Sequence, residues 1–315
     1  MQQDLNENII LFDWVSFVVF GVDDPDYVIE LLGLINFNWT IVNGAKGYKY
    51  RKYCNSISIH YDGPANQGIW CEISGQGCRF LETYGIDFFD LFEIINNSDG
   101  FMHLTRLDIA LDDHIGLLNI DTICKDTLNL NWVSRFRNYH VNYTSGGNSV
   151  QIGSRQSNAL VRIYDKAAER ELDNSVIHWV RVELQLRDER ANEFIKMLKL
   201  MSAGKLFVSV LNNYLRFVKP NKTESNKSRW KTRNYWLKFL DYSTDKISIF
   251  TKPKMDYNLK NLEKYVFDMA GGAIDTYLML TDLDTFCDKI SARKSVTRNP
   301  KYQKLIDDYY NIKNA

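Results

Sequence analysis

Several features that would place this chain in a familiar class are missing from it. It holds no run of about eighteen apolar residues, the length a membrane-crossing helix needs, and its opening Met1-Gln2-Gln3-Asp4 lacks the basic and apolar regions of a signal peptide. Those absences predict a cytoplasmic protein with no membrane partner. The cysteines, Cys54, Cys71, Cys78, Cys124 and Cys287, are odd in number and never form a Cys-x-x-Cys pair, which speaks against a disulfide framework or a zinc ribbon and for reduced, mostly buried thiols. His60, His103, His114, His140 and His178 are scattered with no two standing two apart, so a His-hydrophobic-His metal clasp is excluded. Gly75-Gln76-Gly77 is not followed by the Lys and Ser/Thr of a phosphate-binding loop, and no ATPase motif occurs elsewhere. Net charge is absent too: 39 Lys and Arg balance 39 Asp and Glu.

That balance hides a polarised distribution. Residues 1–40 carry Asp4, Glu7, Asp13, Asp23, Asp24, Asp26 and Glu30 and no Lys or Arg. Residues 201–240 reverse this, with a dense basic stretch through Lys227, Arg229, Lys231 and Arg233 against the single acid Glu224. Interleaving with Trp230, Tyr235 and Trp236 suits a surface that meets phosphates and stacks bases. The other reading is a solvated loop leading into an amphipathic helix, because Trp236, Phe239 and Leu240 stand at helical spacing and belong in a core.

A chain of 315 residues that is 45% hydrophobic can bury a sizeable core and is long for a single domain. Its order of elements is α+β. Strands are expected over 8–20, 48–60 and 68–74, the last two joined by the turn residues Asp62-Gly63-Pro64, with a helix at 24–34 and another at 85–96, where Phe88, Leu91, Phe92 and Ile95 share one face. A strand over 106–112, a helix over 119–128, a hairpin over 133–152 with its tip at Ser145-Gly146-Gly147-Asn148, further strands around Tyr164 and Glu183 and helices at 167–172 and 192–201 follow. The twofold rhythm predicts a strongly curved, mainly antiparallel sheet, internally duplicated without an alignable sequence repeat, with helices on one side. Residues 220–228 are polar and read as a linker, which sets a first domain at 1–219 and a smaller, mostly helical one at 220–315, with helices at 230–240 and 258–289, a strand at 246–250 and a basic tail at 293–304.

Three of the strands carry the same device. In Arg106-Leu107-Asp108-Ile109-Ala110-Leu111-Asp112, alternation puts Leu107, Ile109 and Leu111 on one face and Arg106, Asp108 and Asp112 on the other. In Val161-Arg162-Ile163-Tyr164-Asp165-Lys166 the polar face holds Arg162, Tyr164 and Lys166. In Val180-Arg181-Val182-Glu183-Leu184-Gln185-Leu186-Arg187 it holds Arg181, Glu183, Gln185 and Arg187. A sheet with one wet face alternates in the same way. If the strands adjoin, however, one face gathers carboxylates able to hold a divalent cation, a phenol able to act as nucleophile, and cations able to grip phosphate.

The segments are more specific than their periodicity. Thr105-Arg106-Leu107-Asp108-Ile109-Ala110-Leu111-Asp112-Asp113, Gln151-Ile152-Gly153-Ser154-Arg155-Gln156-Ser157, Arg162-Ile163-Tyr164-Asp165-Lys166-Ala167-Ala168-Glu169 and Arg181-Val182-Glu183-Leu184 resemble, in order, the motifs of the replication initiation factor family, the rolling-circle initiators of Gram-positive plasmids and phage-like elements and the related conjugative relaxases. Phe12-Asp13-Trp14-Val15-Ser16-Phe17 resembles the family's opening strand, and Ser74-Gly75-Gln76-Gly77-Cys78-Arg79 a Gly-rich motif of its phage and conjugative branch. The resemblance runs from about residue 12 to 240.

It implies that Tyr164 is the nucleophile, giving a 5′-phosphotyrosine and a free 3′-hydroxyl, whereas periodicity alone leaves Tyr164 an amphipathic sheet tyrosine. A phenol must lose its proton as it attacks phosphorus, and Lys166 and Arg162 are expected to favour the phenolate and neutralise the scissile phosphate. Asp108 and Glu183, with Asp112 as a further candidate, are the expected ligands of Mg²⁺ or Mn²⁺, because oxygen-only ligation disfavours Zn²⁺. The alternative is that Asp108 and Glu183 pair with Arg106 and Arg181, about 7 Å away on the same strand faces. Glu169 and Asp113 are expected in supporting or general-acid roles. Arg106, Arg181 and the four cations of the basic stretch are the expected DNA contacts. Origin DNA is the implied partner. A host helicase would supply unwinding, and a homodimer stays open. The competing functions are a relaxase at a transfer origin and a non-catalytic protein that cradles single-stranded DNA.

Overall fold

The computed structural model describes residues 9–172, 177–245, 248–249, 266–267, 271–292 and 306. The chain forms two compact units, Met1–Thr251 and Lys252–Ala315. The first opens with β1 (Ile9–Val19), α1 (Asp26–Leu31), β2 (Thr40–Asn43), β3 (Tyr50–Cys54), β4 (Ile57–Tyr61) and β5 (Ile69–Ile73), then α2 (Gly75–Thr83) and α3 (Phe88–Asn96). There follow β6 (Met102–Asp113), α4 (Ile120–Leu128), β7 (Trp132–Ser134), β8 (Tyr139–Thr144), β9 (Gly147–Ile152), β10 (Ala159–Asp165), the single turn α5 (Lys166–Glu169), β11 (Val180–Arg187) and α6 (Asp188–Met197). The unit closes with α7 (Ala203–Tyr214), β12 (Leu215–Phe217), α8 (Asn234–Asp245) and β13 (Ser248–Ile249).

Hydrogen bonding orders the main sheet β2-β3-β4-β5-β1-β6-β11-β10-β9-β8, antiparallel throughout, with β13 added in parallel to β1. Each half starts with a central strand and lays its next four from the edge inward, so that β5 returns to pair with β1 and β11 with β6. The two central strands then pair with each other. The duplication lives in this topology rather than in sequence.

Alternation dictates the layering. Leu107, Ile109, Leu111, Val161, Ile163, Val182, Leu184 and Leu186 are buried on one face, and the helices cover it. Phe12 of β1 meets Phe88 and Phe92 of α3 at centroid separations of 5.8 and 5.0 Å. Phe88, Leu91, Phe92 and Ile95 are all buried, as their three-and-four spacing requires.

The structure departs from the sequence reading at four points. The strand expected over 48–60 breaks into β3 and β4 because Asn55 and Ser56 adopt left-handed φ values of 44° and 64°, making a two-residue turn. The Gly-containing segment after β5 becomes α2, and α7 arises where no element was expected. The domain boundary falls at residue 251 instead of 219. Residues 220–228 leave the body but the chain comes straight back: Lys219 N donates to Lys231 O at 2.8 Å, and Tyr235 donates to buried Asp126 at 2.9 Å. Trp236 and Phe239 are wholly buried, with Trp236 packed on Phe217 at 5.1 Å.

The second unit contains helices Gly271–Leu280 and Leu283–Ala292. The basic tail expected at 293–304 lies outside the described residues. Among the described residues no helix is long and apolar enough to cross a membrane.

Because α8 is part of the first unit's core, Trp236→Ala should destabilise that unit by about 3–5 kcal/mol, the usual cost of truncating a buried large aromatic. Urea unfolding followed by fluorescence checks this; a change below about 1 kcal/mol would show that residues beyond 220 are only appended.

Candidate active site

The polar face of β1, β6, β11 and β10 forms the site. Its geometry begins with a β-bulge in β1: Phe12 pairs with Ile109 and Trp14 with Asp108, leaving Asp13 unpaired between them. The extra residue lets both Asp13 and Trp14 serve the polar face while Phe12 and Val15 stay in the core. Gly75, the first residue of α2, makes room for this. A Cβ there would stand 2.7 Å from Asp13 Oδ1, so only glycine allows the helix to start against that carboxylate.

Register then fixes the pairings. Arg181 lies opposite Asp112 on β6 and opposite Tyr164 on β10. Its Nε and Nη2 donate to the two oxygens of Asp112 at 2.6 and 2.7 Å, and its Nη1 donates to Asp13 at 2.8 Å. Glu183 lies opposite Arg162 and accepts a hydrogen bond from it. Asp108 accepts from Arg106 Nε at 2.9 Å and Nη2 at 2.5 Å, and from Gln185 at 3.1 Å. Arg162 also reaches Asp108 at 3.5 Å and so bridges the two carboxylates.

These contacts decide between the open alternatives. Asp108 does pair with Arg106, but Glu183 pairs with Arg162 and not with Arg181. Asp112 accepts from Arg181 through both oxygens, as Asp108 does from Arg106. Arg181, buried at 5% exposure with three donors committed to carboxylates, braces the sheet from within. Asp113 is buried and capped by the backbone N–H groups of Ile115, Gly116 and Leu118, so it organises a loop. Glu169 pairs with Lys166.

The basic stretch divides as well. Arg233 bonds Asp126 and Lys227 donates to Leu130 O at 2.9 Å, both holding α8 and its lead-in to the body. Arg229 and Lys231 are exposed, Arg229 standing 3.6 Å from Glu224.

A cleft of about 490 Å³ opens over this face. Asp13, Asp108 and Glu183 line it together with Tyr164, Lys166 and Glu169. Burial, reinforced by Asp108, raises the Glu183 carboxyl above the ordinary range, with Arg162 opposing. Burial and then Glu183 raise the Tyr164 phenol, and the cation that pulls it back down is Arg181. The expected helpers are placed otherwise: Arg162 serves the carboxylates, and the Lys166 ammonium stands 5.4 Å from the centre of the Tyr164 ring, paired with Glu169.

Asp13, Arg155 and Gln151 also line the cleft without having been singled out as site residues. For Asp13 a signal existed in the Phe12-Asp13-Trp14 segment, but only the bulge turns it toward Arg181. Among the described residues, no group of three or more His, Cys, Asp or Glu stands in a metal-holding arrangement. Nevertheless the oxygen donors Asp108 and Glu183 fit a hard cation chemically. They are both buried, and Arg162 bonds Glu183 while reaching Asp108, so the two carboxylates lie close together.

Residues 102–292 match the sequence profile of the replication initiation factor family, and residues 9–94 that of the rolling circle replication initiation protein N-terminal domain. The chain belongs to the replication initiation factor family. It is 28% identical over 324 residues to a Bacillus subtilis (strain 168) protein named "Putative DNA relaxase NicK", covering 96% of this chain and 90% of that one. Its fold is similar to that of the rolling circle replication initiator protein from Geobacillus stearothermophilus, with a TM-score of 0.68 and 28% identity over 75% of this chain and 97% of that one. The break between the two profiles falls just before β6, where the topological halves meet.

Removing Asp112 leaves Arg181 buried with one partner. Asp112→Ala should therefore cost about 3 kcal/mol of stability, the low end for breaking a buried pair because Asp13 remains. Denaturant unfolding measures it, and a loss under about 1 kcal/mol would mean that Arg181 is solvated.

Proposed function

We propose that this protein nicks origin DNA and transfers the strand through Tyr164. The observation that carries this reading is the placement of one phenol in a cleft lined also by the carboxylates of Asp13, Asp108, Asp165, Glu169 and Glu183, with the phenol set by register opposite Arg181. Tyr164 Oη attacks the scissile phosphorus and the phosphorus–O3′ bond breaks, giving a 5′-phosphotyrosine and a free 3′-hydroxyl. The phenol proton leaves during attack, and Arg181 stabilises the phenolate oxygen as it forms. Glu169, paired with Lys166 on the cleft wall, would take that proton as a carboxylate and hand it to the leaving 3′ oxygen. The phosphodiester energy stays in the covalent link, so resealing needs no ATP.

Asp108 and Glu183, with Asp13 at the same wall, would hold Mg²⁺ or Mn²⁺. Such a cation, when bound, supplies charge neutralisation at the scissile phosphate. With no ATPase motif in the sequence, a host helicase would unwind the duplex. The similarity to a relaxase-named protein along nearly the whole chain favours a second reading, nicking at a transfer origin, which uses the same chemistry on a different site.

Tyr164→Phe should abolish nicking of origin DNA and the detergent-resistant protein–DNA adduct, while leaving DNA affinity within about twofold, because one hydroxyl adds little contact area. Persistence of the adduct would move the nucleophile to another tyrosine. Asp108→Ala and Glu183→Ala should each lose divalent-dependent cleavage and weaken Mn²⁺ binding by about tenfold or more in calorimetry, whereas Asp112→Ala should not change Mn²⁺ affinity. Intact Mn²⁺ binding in the first two variants would establish the arginine pairs as the carboxylates' whole role.

A further inference from the structure

The duplicated topology gives each polar position of the cleft a counterpart in the first half of the sheet. On the cleft side, β10 and β11 set Arg162 opposite Glu183 and Tyr164 opposite Arg181. On the other, β4 and β5 set Ser58 opposite Glu72 and His60 opposite Trp70. Strand for strand, Glu72 takes the place of Glu183, Trp70 that of Arg181, and His60 that of Tyr164.

The counterpart has no nucleophile. His60 is buried and stacked on Trp70 at 4.4 Å. Burial, then Arg51 and Lys46, push its pKa down to about 4, so the ring is neutral at physiological pH. Its charge balance is also inverted. Glu72 feels Lys46, Arg106 and Arg51; with Arg106 committed to Asp108, two cations remain to one carboxylate, where the cleft has a surplus of carboxylates.

Aromatic surface accompanies the charge. Lys46 Nζ lies 4.0 Å from the Trp70 ring centre, and the Arg51 and Arg106 guanidinium groups lie 5.5 and 4.2 Å from those of Tyr53 and Trp14. Tyr53 is 41% exposed. One row of the sheet runs Tyr53, Ser58, Glu72, Ser16, Arg106 across β3, β4, β5, β1 and β6. Four strand spacings put Tyr53 about 19 Å from Arg106. Arg106 in turn bonds Asp108 at the cleft, so the row is continuous with it.

We infer that this half of the sheet is a non-cutting copy of the cleft that holds single-stranded DNA leading to it, with phosphates on Lys46 and Arg51 and bases on Tyr53. The inference rests on the DNA-nicking reading above. A single strand fits better than a duplex because the exposed ring can stack only on a base that has left its own stack.

Fluorescence anisotropy of a labelled oligo-dT of about twenty nucleotides, titrated with the full chain over a range of salt, tests it. The double variant Lys46→Ala/Arg51→Ala should bind about tenfold more weakly, with a salt slope shallower by about 1.4, two contacts at about 0.7 each. Tyr53→Ala should lose about tenfold, and Tyr53→Phe, which keeps the ring, should match the wild type. Unchanged affinity and slope in the double variant, or equal losses in Tyr53→Ala and Tyr53→Phe, would overturn the proposal. So would a duplex of the same length bound as tightly with the same dependence on these residues. The adduct assay on the unaltered chain separates the two readings. An adduct formed while oligo-dT binding ignores these residues sinks the track alone; no adduct, with binding that depends on them, sinks nicking and supports the track.

Discussion

Arg181 is the piece on which the site depends. Its guanidinium joins β11, which carries it, to β6 through Asp112 and to β1 through Asp13, and the sheet register sets it beside Tyr164 on β10. A cation at 5% exposure carries a large desolvation cost, and only near-complete pairing offsets it. Two carboxylates accepting three hydrogen bonds meet that requirement. The consequence is positional: four strands are held in one arrangement at the point where the phenol stands. The same charge also opposes the burial that raises the Tyr164 phenol, so one residue both builds the cleft and sets the charge around its phenol.

The neighbouring carboxylates obey a different rule. Asp112 and Asp13 share Arg181, while Asp108 takes Arg106 and shares Arg162 with Glu183, whose carboxyl burial still raises. Charge in a low-dielectric setting goes either to a proton or to another cation. The two carboxylate pairs thus differ in how far cations satisfy them. The difference arises from the rows of the sheet: Arg181 faces Asp112, and Glu183 faces Ala110, a side chain with no charge to offer.

How far the sequence could be read follows from the range of the interactions involved. Alternation is local, so the strands bearing Asp108, Tyr164 and Glu183 and their shared polar face were legible, as were the α+β class and the helix built on Phe88, Leu91, Phe92 and Ile95. Pairing is not local. Which arginine meets which carboxylate depends on the register between strands about seventy residues apart, so the pairing of Arg181 with Asp112 was not legible. Asp13 was hidden because a bulge shifts side-chain phase by one without changing composition. Residues 220–228 had the polarity of a linker, and only the burial of Trp236 and Phe239 shows the chain returning to the body. Asn55-Ser56 broke a strand because two residues accepted left-handed backbone that their identities only weakly favour.

Duplicated topology explains why the face is so unevenly furnished. Two identical strand orders meet at the β1–β6 pair, and neither half alone could complete the cleft, because Asp13 and Gly75 come from the first and Tyr164, Arg181 and Glu183 from the second. If a DNA strand crosses this face as proposed, a second anionic cluster beside the carboxylates would repel its phosphates. Cations and rings at the counterpart positions remove that repulsion. The asymmetry of Glu72 near Lys46 and Arg51, against Glu183 beside Asp108, is what the proposed continuous strand would require of a sheet whose two halves share one fold.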